Sequence, residues 1–238
     1  MRRATRHELK SDPFATEVMH SLDFASEHKQ QIVRYGSIAL ALILLAGGSW
    51  AYVNNQRQQR QKDLAEAQKV FSTAVGPPRG NQPTFPTEQA RQAAIVKAFT
   101  DVYNKYPNSA EGMIAAFILG GTAADRGEIA AAEKQFKIVA DKGDSNYANM
   151  AKQSLAELYA SQGKLGEAEK LMREIMDKPS ATVTHDQAQL TLARLLRDSK
   201  PAEAKKLCDP LRTSGTGAVN RAAITLCAEI DNPSLRNR

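Results

Sequence analysis

Four histidines, two cysteines and a few carboxylate pairs are the side chains of this sequence that could carry chemistry. His7, His20 and His28 precede residue 34, and His185 stands alone beside Asp186 at an expected helix start. None of them forms the H-E-x-x-H pair that sets two imidazoles on one helical face for a metal. Cys208 and Cys227 show no C-x-x-C spacing and have no histidine pair nearby. They read as two small buried apolar side chains on helices, or as a disulfide in an oxidising compartment, although their offsets from the intervening turn match poorly. Glu167 and Glu169 fall on a helical surface laced with lysine, which reads as a solvated face. No G-x-S-x-G elbow, phosphate-binding loop or dinucleotide fingerprint is present. The expectation is therefore no enzyme, no metal and no cofactor.

The composition agrees with a scaffold. Of 238 residues, 42% are hydrophobic and only 6% aromatic, with abundant alanine and few β-branched runs. That bias favours helix, because Ala, Leu, Glu, Lys, Gln and Arg lose least on entering one. The net charge of +6 is spread among interleaved acids and bases. A nucleic-acid binder would cluster Lys and Arg with stacking aromatics, and none do so here.

No charge interrupts the chain between Arg34 and Arg57. The apolar part provides the ~20 residues needed to cross ~30 Å of hydrocarbon. Ile38, Leu40, Leu42, Ile43, Leu44, Leu45 and Val53 form its body. Tyr35 at one end, with Trp50 and Tyr52 at the other, suit the interfacial belts. A 34-residue polar lead is wrong for a cleaved signal peptide, so the segment reads as an uncleaved single-pass anchor. Orientation is less marked. Lys29 and Arg34 lie on one side and Arg57, Arg60 and Lys62 on the other, while Arg2, Arg3, Arg6 and Lys10 add charge further back. Long domains translocate largely regardless of charge, and the expected topology is N-terminus in the cytoplasm, bulk of the chain outside.

The remaining boundaries follow from helical periodicity and its breakers. Residues 1–33 form a cytoplasmic tail, in which Asp12-Pro13 starts a short amphipathic helix with Phe14, Val18, Leu22 and Ala25 on one face. Residues 34–54 are the transmembrane helix. Residues 55–87 hold a juxtamembrane helix, with Leu64, Ala67, Phe71 and Val75 on one face, then a loop whose four prolines and two glycines sustain neither helix nor ladder. A helix restarts at Thr87-Glu88 and stops near Tyr106, before Pro107-Asn108. Residues 88–231 repeat a helix, short break, helix unit, and 232–238 are a flexible tail.

The repeat has a period. Gly127 and Gly163 are 36 apart, as are Ala132, Ala168 and Ala204, and Leu155-Ala156 returns as Leu192-Ala193 with one loop residue fewer. Such a period marks stacked supersecondary units. Small residues at Gly120, Ala132, Ala156, Ala168 and Ala204 let paired helices approach. Leu119, Phe136, Leu155, Tyr159 and Leu171 fill the space between them. One pair cannot bury its apolar face alone, so about three are needed, and the helix from Ala218 to Ile230 is the expected C-terminal cap.

These positions make the unit resemble the tetratricopeptide repeat, with Leu155, Ala156, Tyr159, Gly163, Ala168 and Met172 in the clearest copy and Ala132-x3-Phe136 in the one before. The fold class is thus all-α, an N-terminal transmembrane helix followed by an α-solenoid of such pairs. The full layout resembles the ancillary subunit of the bacterial Sec translocon. That resemblance implies an inner-membrane protein whose periplasmic repeats work with periplasmic chaperones and secreted clients near the channel. The residues alone leave two other arrangements open: a structural organiser of envelope assembly or division, and a cytoplasmic scaffold, favoured by Arg57, Arg60 and Lys62. The partner's identity and the oligomeric state are not written in the sequence.

Overall fold

A computed structural model describes residues 29–77, 80, 83–214 and 216–237. The amphipathic stripe expected at Phe14, Val18, Leu22 and Ala25, and the histidines at 7, 20 and 28, lie outside the described residues. The chain divides into two compact units, Met1–Gln58 and Gln59–Arg238. Helix α1 (Lys29–Ser72) supplies the described part of the first unit and the opening helix of the second.

In the second unit α2 (Glu88–Lys105), α3 (Ala110–Asp125), α4 (Ile129–Lys142), α5 (Ser145–Ser161), α6 (Leu165–Asp177), α7 (His185–Leu196), α8 (Pro201–Ser214) and α9 (Gly217–Asp231) follow in antiparallel succession, each packed on the next. Their starts are written in capping side chains. Thr87, Ser109 and Asp144 each accept backbone N–H groups of the first turn, and Thr184 with Gln187 forms a reciprocal capping box.

The 36-residue interval has a backbone cause. Gly127 and Gly163 adopt φ of +72° and +76°, a region that favours glycine. Around them the same two bonds recur: Gly127 N–H donates to Ala124 and Glu128 N–H to Ala123, Gly163 N–H to Ala160 and Lys164 N–H to Tyr159. This is the Schellman closure of a helix end. The third unit, one residue shorter here, closes with bonds from Arg197 N–H to Arg194 O at 3.4 Å and from Lys200 N–H to Leu196 O at 2.7 Å, with no left-handed residue. The deletion removes the need for glycine without changing the packing beyond it.

Three apolar clusters run along the stack. Leu64, Ala67, Ile95, Phe99, Val102 and Ala115 join α1, α2 and α3. Phe136, Leu155, Tyr159, Met172, Ile175, Leu192 and Leu196 fill the centre. Leu190, Cys208, Leu211, Val219, Leu226 and Cys227 seat α9. Ala132, Ala168 and Ala204 are fully buried at equivalent contacts.

Several details differ from the sequence expectation. The compact unit opens at Gln59, not 88, because the last turns of α1 pair with α2 as another helical hairpin. Its inner face is Leu64, Ala67 and Val70, whereas Phe71 and Val75 are exposed. The helix ends at Ser72, so Val75 lies beyond it, and Phe71 reaches only the edge of the Phe99 ring at 6.2 Å. In the following loop Val75 and Phe85 form one isolated bridge. Residues 233–237, within the expected tail, make a 3₁₀ turn against α9. Cys208 on α8 and Cys227 on α9 are both buried and disulfide-bonded, with Cα atoms 6.0 Å apart. The two readings of this pair are compatible.

Candidate functional site

Helix packing gives the second unit an inner and an outer side. The first helices of successive pairs, α3, α5, α7 and α9, approach one another directly. Among the described residues the backbones of α4, α6 and α8 touch only their chain neighbours, never each other. A stack closer along one row than the other curves, and its concave side is lined by α3, α5, α7 and α9.

Long charged side chains span the wider, outer row. Glu169 on α6 accepts from Arg173 at 2.7 Å and from Lys200, just ahead of α8, at 2.9 Å, and Arg173 also reaches Glu203 at 2.6 Å. Lys200, then Arg173, holds the Glu169 carboxyl below the usual glutamate range. Glu169 is therefore an inter-repeat tie rather than the freely solvated group expected from its lysine-rich surroundings. One repeat earlier Tyr159 donates to Glu133 at 3.0 Å. Burial, then that carboxylate, pushes the Tyr159 hydroxyl up.

The concave side contains an uncharged depression. Met150 and Gln153 of α5, Thr182 and Val183 of the following loop, and Gln187, Leu190 and Thr191 of α7 enclose about 520 Å³. The loop is pinned there from α5: Asn149 Nδ2 donates to Lys178 O at 2.9 Å, Ala181 N–H to Asn146 Oδ1 at 3.1 Å, and Thr182 Oγ1 to Asn146 O at 3.0 Å. In a chain with 24% charged residues, a lining of amides, hydroxyls and aliphatic groups suits the backbone and uncharged side chains of a polypeptide better than an ionic ligand. No sequence signal marked these residues, since a groove-facing Gln looks like any other surface Gln.

The expected packing residues fall into two groups. Ala132, Phe136, Leu155, Ala156, Tyr159, Ala168 and Ala204 meet in the central cluster. Leu119, half-buried, belongs instead to the cluster with Phe99 and Val102. Gly120 sits against the Phe136 ring so closely that a Cβ there would lie 2.8 Å from it. His185 starts α7 as expected, 3.4 Å from Asp186 and exposed.

In the first unit Tyr35, Ile38, Leu40, Leu42, Ile43, Leu44, Leu45, Trp50, Tyr52 and Val53 are between 50% and 72% exposed. By length and composition α1 is the one helix among the described residues able to cross a membrane. Among the described residues none of its apolar window is buried.

Curved stacking of antiparallel helix pairs, with a groove lined by alternate helices, defines a protein-interaction scaffold of tetratricopeptide-like repeats. The chain belongs to the tetratricopeptide repeat-like domain family, which it matches over residues 29–181. The match takes in the apolar half of α1 and ends before α7, so the third pair and its cap are recognised by their packing alone. No curated protein and no solved structure matches the chain.

Proposed function

We propose that residues 34–54 anchor the protein in a bacterial inner membrane, with the N-terminus in the cytoplasm and the repeats in the periplasm. There the concave groove holds partner polypeptides, either secreted clients or periplasmic chaperones, beside the Sec translocon. The observation that carries this reading is the uncovered apolar run of α1, long enough to span a bilayer and uncharged from Tyr35 to Gln56. So large an apolar surface is unfavourable in water and is favoured in hydrocarbon. The Cys208–Cys227 bond supports an oxidising compartment for the repeats. The uncharged groove suits segments recognised by their backbone and apolar side chains, as unfolded clients present them.

Topology is the decisive experiment. Alkaline phosphatase, active only outside the cytoplasm, is fused after Arg238, and the expected fusion is active. Photo-crosslinkers at Gln153 and Gln187 should then capture translocon subunits, chaperones or chains in transit. An inactive but well-expressed fusion would place the repeats in the cytoplasm and overturn the secretion reading.

A further inference from the structure

Within the second unit each helix pair is covered on both sides except the first. α5 lies over α3 and α4, α7 over α5 and α6, and α9 closes the C-terminal end. α3 covers one side of the hairpin that α2 makes with the last turns of α1. Among the described residues the opposite side is open. It forms a cleft of about 470 Å³ with a floor of small apolar residues, among them Ala67, Val70, Ala94 and Ala98. Terminal repeats ordinarily present a polar outer face, whereas here only the rims are charged and the floor is apolar.

The rims of the cleft differ in charge. The α1 rim carries Asp63 and Glu66, whereas the α2 rim carries Lys97 and Lys105 against the single acid Asp101, which lies 3.7 Å from Lys97. Lys105 donates to Asp63 at 2.7 Å, which holds the Asp63 carboxyl low. An isologous contact sets each surface on its own copy. A two-fold axis parallel to α1 lays the α1 rim of one copy on the α2 rim of the other, and both α1 helices then run in the same direction. A two-fold across the helices would instead oppose acid to acid. We propose that this cleft is the interface of a parallel homodimer, in which the hairpin of each copy closes the open end of the other. The small floor residues allow close approach, and the rim charges set both the register and the parallel pairing.

The test uses the full chain in membranes. Two differently tagged copies, one Glu66→Cys and the other Lys97→Cys, are co-expressed and treated with a short bismaleimide. The native thiols are already joined to each other. The mixed Glu66–Lys97 product is expected, with Glu66–Glu66 product scarce. Adding Ala98→Glu to both copies should lower the mixed product about ten-fold or more, which is the effect of a 1.4 kcal/mol loss. Circular dichroism at an unchanged helical signal excludes misfolding. Alkaline extraction, run in parallel, reports the anchor separately. Membrane-retained protein without mixed product, or with Glu66–Glu66 product dominant, overturns the parallel dimer and leaves the anchor standing. Mixed product from extractable protein supports the interface while the membrane reading fails.

Discussion

Gly120 and Gly121 are neighbours in α3, and replacing each with alanine should move stability in opposite directions. In a helix interior the change from Gly to Ala contributes about 1 kcal/mol. At Gly121 nothing lies within 4 Å of the position a Cβ would take, so that gain stands nearly alone. At Gly120 the new Cβ would meet Phe136 Cδ1 and Cε1 at 2.8 Å and Cζ at 3.2 Å. The ring has little room to retreat, since Phe136 is buried and packs on Phe117 at a centroid distance of 5.7 Å. Overpacking of this kind costs about 1–3 kcal/mol. Gly120→Ala should then be neutral to destabilising by about 2 kcal/mol, and should lie 1–3 kcal/mol below Gly121→Ala. For a unit of this size each kcal/mol shifts the melting midpoint by about 2–4 °C. Thermal unfolding of both variants in the same detergent, followed at 222 nm, separates them. A Phe136→Leu background should shrink the difference, because the obstructing ring is gone. Equal midpoints for the two alanine variants would refute the claim that α3 and α4 touch at Gly120.

Ala168, fully buried where α6 meets its neighbours, should tolerate leucine no better, at a cost of about 1–3 kcal/mol in urea unfolding. A cost near zero would remove it from the helix contact. The Cys208–Cys227 bond closes a loop across 19 positions. Its loss in Cys208→Ala/Cys227→Ala should cost about 3 kcal/mol, with amide exchange rising first in α8 and α9 and last in α4 to α6. Glu169 has a folded pKa depressed chiefly by Lys200 and then by Arg173. Its contribution is therefore present above the ordinary glutamate value and disappears as pH falls through the lower folded value. Wild-type melting points should fall as pH drops below the ordinary glutamate value, and Glu169→Gln should flatten that slope. An unchanged slope would show that the ties across the outer row carry no stability.

What the sequence disclosed of this fold is what the backbone imposes on it. Gly127 and Gly163 are legible because a Schellman turn needs left-handed φ, and Ala132, Ala168 and Ala204 because two helices meet there. The third pair matches the repeat pattern at few positions, yet Leu192, Ala193, Leu196 and Ala204 are all fully buried. Its turn closes by another bond, so the missing glycine was a local matter. Val70 was passed over for Phe71 because nothing in Ser72-Thr73-Ala74 forbids one more helical turn, and the inner face depends on where the turn stops. Glu169 could not be matched to Lys200, 31 residues on, until α6 and α8 were set side by side.

The groove was illegible for a deeper reason. Scaffold positions recur: Gly120, Ala156 and Ala193 occupy one, Leu119, Leu155 and Leu192 another, at intervals of 36 and 37 residues. The same intervals relate Ile114, Met150 and Gln187, and likewise Phe117, Gln153 and Leu190. These positions change character along the stack because packing does not dictate them in every unit. In the pair of α3 and α4, Ile114 and Phe117 are partly buried against the clusters on either side. By Met150 and Gln153 the same register lines the depression that α5 shares with α7. Repetition therefore exposes a repeat protein's scaffold while hiding its selectivity, which lies where the units differ on their inner helices.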